Sequence, residues 1–295
     1  MAEQTSPGLP PPAPQSRLAI LLNRWSQSAG KQAAMIFLMV LILFPLFFIF
    51  NNALKTRDQY NANQLSLASS PTLVNFGKIF QNPQLLGWFG NSLILTGVSV
   101  VLCTLISILA AYAFANMQFP GRDLLFNLIT PLMVIPPIVM LIPLFVLFQI
   151  FRLINNLSSP ILVYTGLMLP FTIFLLRNFF ITIPREIREA ALLDGCSSIQ
   201  LLTKVYLPLS RPALVTSMVV NAVWVWNELL IALVFLQTEA QRTLIVGVAA
   251  SMQKRYNLDI PLLMAGLAIV TIPMIVLYVV GQNALVRGLV AGFEK

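Results

Sequence analysis

The sequence predicts an all-α, polytopic membrane protein with six transmembrane helices. Of its 295 residues, 58% are hydrophobic and only 9% are charged, whereas a soluble domain carries about 25% charged residues. The apolar residues also fall into six long runs, and a helix needs about 20 such residues to cross a bilayer. A soluble fold of this size could not bury so much apolar surface, so most of it must face lipid or other spans.

Residues 1–31 form a tail rich in Pro, Gln and Ser. We predict that this tail is disordered and cytoplasmic, because such a composition has little to bury. The apolar run Ala33–Phe50 then contains 18 uncharged residues. A signal peptide is the alternative to a membrane span, but no small-residue cleavage site follows closely. We therefore predict a retained anchor that opens a membrane domain covering residues 32–295.

Five further spans follow from the same length criterion. They are expected at about Ser92–Phe114, Leu124–Ile150, Leu157–Leu176, Ala213–Leu236 and Ile260–Val286. The third span cannot be a regular helix, because its prolines leave backbone carbonyls without partners. These prolines are Pro131, Pro136, Pro137 and Pro143. The irregularity is either a packing kink or a break that lines or gates a pathway.

Lysine and arginine indicate the orientation, because cytoplasmic segments are enriched in them. With the N terminus inside, eleven of the 18 Lys and Arg residues lie on the cytoplasmic side. Both termini and residues 184–212 are then cytoplasmic, and residues 55–90 and 237–259 are the substantial extracytoplasmic segments. Within the first of these, Phe76–Phe80 is expected to form a short interfacial helix.

Residues 184–212 are the longest polar and charged segment of the chain. Pro184 suits the first turn of a helix, and Gly195 suits its end because glycine accepts a left-handed conformation. Ser197 and Gln200 form the pattern of a capping box that starts a second helix. The segment is therefore predicted to be a helix–turn–helix on the membrane surface.

The spacing within this segment carries a resemblance. Glu189-Ala190-Ala191 is followed after three residues by Gly195, after nine more by Val205, and then by Leu207-Pro208. This spacing resembles the EAA loop of ABC-importer permeases, although that family prefers Ile at position 205. The flanking segments resemble the MalG-like permeases of bacterial carbohydrate importers; they are Leu176–Phe180, Trp226–Glu228 and Val286–Gly292. The resemblance implies the type I ABC-importer (MetI-like) fold.

The resemblance also implies function and partners. The chain would form a sugar pathway with a MalF-like permease, take cargo from an extracytoplasmic binding protein, and couple to two copies of a cytoplasmic ATPase in a bacterial inner membrane. The implied coupling residues are Glu189, Ala190, Ala191, Asp194, Gly195 and Pro208. The alternative is a surface helix that Arg185, Arg188 and Lys204 hold to lipid phosphates.

Glu228 is the one formal charge deep in a predicted span. An intramembrane carboxylate is costly and marks either a functional interior or a polar contact between helices. We expect Glu228 and Asn227 to line the pathway near its outer end. Trp226 and Trp224 could stack on a sugar ring or simply pack between helices.

Other classes of function have less support in the sequence. There is no Gly-rich phosphate-binding loop, so ATP and Mg²⁺ are expected on the partner ATPase and no cofactor or metal on this chain. Without histidine, His-based catalytic sites are excluded. An ion-coupled secondary transporter would need more acidic residues in its spans. The resemblance also leaves a glycerol phosphate or a polyol as an alternative cargo to a sugar.

Overall fold

The computed structural model describes the backbone of residues 17–253 and 259–293 and the side chains of residues 30–250 and 259–282. Within these ranges the chain contains helices and no strand, so the predicted all-α class is confirmed. The α-helices are α1 (Arg17–Ala53), α2 (Arg57–Ala62), α3 (Val74–Phe80), α4 (Leu85–Asn116), α5 (Arg122–Ile129), α6 (Pro137–Ile150), α7 (Ser158–Thr182), α8 (Arg185–Leu193), α9 (Ser198–Leu201), α10 (Leu207–Leu209), α11 (Arg211–Asn227), α12 (Leu230–Phe235), α13 (Leu244–Gln253) and α14 (Ile260–Phe293). Two 3-10 turns (Thr130–Val134 and Glu239–Gln241) and a π-helical turn (Leu202–Tyr206) connect them.

All six predicted spans fall on helices, but not all are single helices. Within the described residues, four helices are long and apolar enough to cross a bilayer, and one bent pair of helices would make a fifth span if its two halves cross together. The four are Gly30–Ala53, Leu85–Asn116, Ser158–Thr182 and Ile260–Gln282. The span predicted at 213–236 is split into α11 and α12. Six uninterrupted transmembrane helices are therefore not observed.

The third predicted span is the bent pair. Its two halves, residues 122–134 and α6, meet at an angle of 104°. Ile135 is extended, with ψ of 117°, because a following proline ring clashes with the helical conformation. Pro136 is extended as well, and Pro137 begins α6. The predicted irregularity of this span is confirmed.

The core of the bundle is built on α4 and α7, which pack along each other, with α11 against both. Helix α14 covers α11 and also contacts α1. Large side chains fill the space between α4, α7, α11 and α12, including Leu95, Tyr164, Met168, Val225 and Phe235. A polar contact ties the same helices, since Asn221 Nδ2 donates to Thr172 Oγ1 at 2.9 Å. Such hydrogen bonds hold helices together where lipid offers no hydrophobic driving force.

Helices α7 and α11 run between two ends of the bundle that differ in structure. We call residues 228–250 the α12–α13 end and residues 183–210 the α8–α10 end. The first end includes much of the predicted loop 237–259, which forms helix α13 with buried side chains rather than an open loop. Gly247 allows this packing, because a Cβ there would lie 2.2 Å from Cδ2 of Trp88.

The N-terminal region differs from the sequence prediction. Helix α1 begins at Arg17, so residues 17–31 are helical rather than part of a disordered tail; residues 1–16 lie outside the described residues. No proline occurs between Pro14 and Pro45, so nothing in the backbone interrupts the helix before the span. The apolar side chains from Met35 to Phe44 are 48–69% exposed and are available to lipid or to other spans.

Residues 55–90 form an ordered cap beside α14. Lys55 is fully buried, and its Nζ donates to the carbonyls of Asn63 and Gln64 at 3.0 Å. Burial lowers the pKa of the Lys55 ammonium. Asn75 Nδ2 donates to the carbonyls of Ala53 and Lys55 at 2.9 and 2.8 Å. The short helix predicted at 76–80 is confirmed as part of α3.

Candidate functional site

Residues 184–212 fold as the predicted helix, turn and second helix. Glu186 lies in the first turn of α8, near the positive end of the helix dipole. The helix ends at Gly195, which adopts a φ of +79°. A residue with a Cβ would pay about 1–2 kcal/mol of conformational energy to adopt this left-handed conformation. The N–H of Cys196 donates to the carbonyl of Ala191 at 3.0 Å and completes the C-terminal cap.

The second helix begins with the predicted capping box. The N–H of Ser197 donates to Gln200 Oε1 at 2.9 Å, and the N–H of Gln200 donates to Ser197 Oγ at 3.4 Å. The π-helical turn follows, in which the N–H of Leu207 reaches the carbonyl of Leu202 five residues back. Pro208, which has no N–H, stands directly after this turn at the start of α10.

The underside of the segment is anchored to the bundle by Leu201, Leu202 and Tyr206, which are buried. The Tyr206 ring packs edge-on against Phe180 of α7 at 5.4 Å and Tyr112 of α4 at 5.3 Å between centroids. Its hydroxyl donates to Asn116 Oδ1. Burial raises the pKa of Tyr206, against the opposing effects of the nearby Arg188 charge and the bond to Asn116.

The outer face of this segment, which is the side turned away from the helix bundle, is not covered by other parts of the described chain. Leu193 is 89% and Ile199 is 75% exposed, and Glu189 and Ala190 are exposed beside them. Glu189 makes no hydrogen bond or ion pair with the described residues. Exposed apolar side chains next to an unpaired charge are typical of a surface that binds a partner.

The structure brings five of the six predicted coupling residues into one helix and its cap. Glu189 and Ala190 are exposed on α8, Ala191 is half-buried, and Asp194 and Gly195 form the helix end. The sixth, Pro208, lies beyond the π-helical turn and is also exposed. Their role in coupling stays a prediction.

Glu228 stands at the break between α11 and α12 rather than within a continuous span. Its carboxylate accepts from the backbone N–H groups of Leu230, Ile231 and Ala232 at 2.9–3.2 Å. It also accepts from the hydroxyl of Tyr164 at 2.5 Å. The carboxylate thereby satisfies the free N–H groups at the start of α12. This geometry supports the helix-contact alternative, and the pathway role stays a prediction.

Tyr164 is the residue at this break that the sequence analysis missed. It is fully buried in α7, and its ring also packs edge-on against Trp224 at 5.6 Å. The available signal was a tyrosine in the middle of a predicted span, because a buried phenol requires a hydrogen-bond acceptor.

Trp226 and Asn227 differ in exposure. Trp226 is 4% exposed, and its Nε1 donates to the carbonyl of Val270 at 3.1 Å. Its ring packs edge-on against Phe89 at 5.9 Å. These contacts favour the packing alternative for Trp226. Asn227 is exposed and donates to the carbonyl of Val223 in its own helix.

The part of the chain that the structure describes contains no group of three or more His, Cys, Asp or Glu residues placed to hold a metal ion. Cys103 is buried between helices, and Cys196 lies in the cap of α8. Both are free thiols.

Comparisons with known proteins agree with this architecture. Residues 103–290 match the family described as "Binding-protein-dependent transport system inner membrane component". The chain is 37% identical to a putative ABC transporter permease of Caldicellulosiruptor, over 85% of this chain and 91% of that protein. It is 35% identical to the sulfoquinovosyl glycerol transport system permease SmoH of Agrobacterium fabrum, over 86% and 89%.

A solved structure shares the fold. It is a bacterial ABC transporter involved in the import of the acidic polysaccharide alginate, with a TM-score of 0.76 at 23% identity over 91% of this chain and 98% of that chain. The chain therefore belongs to the family of inner-membrane components of binding-protein-dependent transport systems, and it has the ABC-importer permease fold.

Proposed function

We propose that the chain is the transmembrane permease subunit of an ATP-driven sugar importer, with both termini in the cytoplasm. The observation that carries the proposal is the uncovered outer face of the α8–α10 end, where Glu189, Leu193 and Ile199 are exposed. A cytoplasmic ATPase subunit fits this face, because protein interfaces combine an apolar centre with a polar rim.

Two connections would carry movement of α8 into the spans. Tyr206 joins the segment to α4 and α7 through its packing on Tyr112 and Phe180. The chain also continues from α10 through the buried Ser210 directly into α11. Closure of two ATPase copies would therefore shift α7 and α11 and switch the pathway between outward-open and inward-open. ATP and Mg²⁺ belong to the ATPase, and this chain is proposed to be non-catalytic.

A homologous MalF-like permease is proposed to complete the pathway. Two apolar surfaces of this chain support a partner of that kind. One is the exposed length of α1 between Met35 and Phe44. The other is a groove of about 490 Å³ between α4, α11 and α14. Its lining includes Leu93, Val101, Met218, Met274 and Leu277.

The remaining partners concern residues 237–259 and the C-terminal tail. An extracytoplasmic sugar-binding protein is proposed to contact residues 237–259, and the tail 288–295 is proposed to reach the ATPase pair. Of these, residues 254–258 and 294–295 lie outside the described residues. A sugar cargo is supported by the names of two similar proteins, one for sulfoquinovosyl glycerol transport and one for alginate import.

The test is uptake of labelled sugars, with a polyol and a glycerol phosphate as alternative cargoes, in cells that carry the complete transport system. We expect uptake to stop when ATP is depleted while the ion gradient is maintained, and the ATPase subunit to copurify with this chain. Uptake that continues under ATP depletion would instead identify an ion-coupled transporter.

A further inference from the structure

A polar cavity of about 450 Å³ lies between α8 and the ends of α4, α5 and α7. Its defining feature is four arginines from three helices: Arg122 of α5, Arg177 of α7, and Arg185 and Arg188 of α8. The proposed transport cycle uses none of them. Guanidinium groups repel one another at short range, so four of them around one cavity need an opposite charge.

The described part of the chain supplies little of that charge. Glu189 is the one acidic residue in the lining, and it is exposed. Arg122 Nε donates to Asp123 Oδ1 at 2.9 Å, but the Asp123 side chain is 72% exposed and does not line the cavity. The cavity therefore has a net positive charge.

Two of the arginines also have unused donors. The Nε atoms of Arg177 and Arg188 are buried and have no hydrogen-bond partner among the described residues. The guanidinium of Arg177 lies over the ring of Phe126, with Cζ 4.1 Å from the centroid. This stacking fixes the plane of the guanidinium and leaves its edge free for an acceptor. An unpaired buried donor is costly, so an acceptor group placed beside these two guanidinium groups would stabilise them.

The geometry points to the phosphate of an anionic phospholipid as the occupant of this cavity. Arginine is the side chain that best matches phosphate oxygens, through paired N–H donors. The cavity also lies at the end of α7, which is long and apolar enough to cross a bilayer from Ser158 to Thr182. Basic pockets between transmembrane helices are known sites for such headgroups.

Free phosphate shares this chemistry, but the surroundings favour a lipid. Ile181 lines the cavity and is 51% exposed, and Leu125 and Leu128 are 47% and 60% exposed along α5, which starts at the cavity. Apolar side chains beside the arginines provide a surface for acyl chains. A bound lipid would join α8 to α5 and α7 through one phosphate and hold α8 in place at the end of the bundle.

The experiment uses the full chain purified with its copurifying subunits and measures thermal stability on addition of phosphatidylglycerol, phosphatidylcholine or inorganic phosphate. The test variant is Arg177→Gln with Arg188→Gln. The matched control is Lys204→Gln with Arg211→Gln, which removes the same charge from exposed positions outside the cavity. Native mass spectrometry counts the phosphatidylglycerol molecules retained.

We expect phosphatidylglycerol to raise the melting temperature of the wild type and the control by several degrees, and the cavity variant to lose that rise and one retained lipid. An equal loss of this rise and of retained lipid in the cavity variant and the control would overturn the proposal, because it would indicate a diffuse electrostatic attraction of the lipid to positive charge. An equal rise in melting temperature with inorganic phosphate would contradict the proposal that the bound phosphate belongs to a lipid. If the double variant does not assemble, the single variant Arg188→Gln, which lies outside the spans, replaces it. We expect this variant to weaken the retention of phosphatidylglycerol about tenfold, and unchanged retention would reject the site.

Discussion

Two carboxylates at opposite ends of the bundle, Glu228 and Glu189, differ in whether the chain supplies their hydrogen-bond partners. At the α12–α13 end, the Glu228 carboxylate accepts from four donors, which are three backbone N–H groups and the hydroxyl of Tyr164. Asn155 Oδ1 accepts from the N–H groups of Gln237 and Thr238 at the same end. At the α8–α10 end, Glu189 has no partner within the described residues.

This difference distinguishes polar groups that stabilise the fold from polar groups that are available to a binding partner. A polar group whose hydrogen bonds are all made inside the chain stabilises the fold, because breaking them leaves buried groups unpaired. A charged group without a hydrogen bond or ion pair inside the chain, beside exposed apolar side chains, is available to bind another molecule. We therefore expect substitutions at the α12–α13 end to affect the folding of this chain and substitutions at the α8–α10 end to affect its coupling to the ATPase.

The largest effect is expected for Glu228→Leu. It leaves the N–H groups at the start of α12 and the hydroxyl of Tyr164 without an acceptor, at a cost of about 1–3 kcal/mol for each buried group. We expect the complex to fail to assemble, as measured by copurification. Glu228→Gln keeps one acceptor oxygen and should cause a partial defect in uptake.

Asn227→Leu is the control for Glu228, because its exposed amide bonds only to Val223 of its own helix. It should change stability by less than about 1 kcal/mol. A Glu228→Leu complex that assembles normally but has altered transport would instead support the pathway role that the sequence predicts.

The next largest effect is expected for the substitution Gly195→Val. A Cβ at this position meets nothing within 4 Å, and φ is +79°, so Gly195→Val strains the backbone without a clash, and a β-branched residue tolerates this conformation least. We expect uptake to fall at least tenfold with membrane insertion intact. Gly195→Asn is the control, since asparagine accepts this conformation, and it should retain most uptake. Equal, normal uptake in both would remove α8 from the coupling mechanism.

The sequence predicted the α8–α10 end more completely than the α12–α13 end, and the reasons are physical. The turn at Gly195 and the capping box at Ser197 depend on neighbouring residues, so the local pattern contained them. The break at Glu228 is partly local, because its carboxylate accepts from the N–H groups two to four residues ahead, but its bond to Tyr164 joins positions 64 apart, and no local pattern contains that contact. The same limit explains why α13 was expected as a loop: its burial depends on Gly247 fitting against Trp88.

A smaller effect is expected for Glu189→Lys, which reverses the unpaired charge of α8. We expect several-fold weaker retention of the ATPase subunit, because one charge at an interface rim changes affinity modestly. Glu186→Lys is the control, with the same charge change on an exposed residue of the same helix. Retention that falls equally in both variants would indicate a general charge effect rather than a contact at Glu189.

The smallest effect is expected for Trp226→Phe, and it decides between packing and sugar stacking. Phenylalanine keeps a ring against Phe89 but loses the donor to the Val270 carbonyl, which costs about 1 kcal/mol. A tryptophan that is 4% exposed offers no face to a sugar ring, and stacking needs one. We therefore expect slightly lower thermal stability and an unchanged KM for uptake. A raised KM with unchanged stability would mean that Trp226 reaches the cargo.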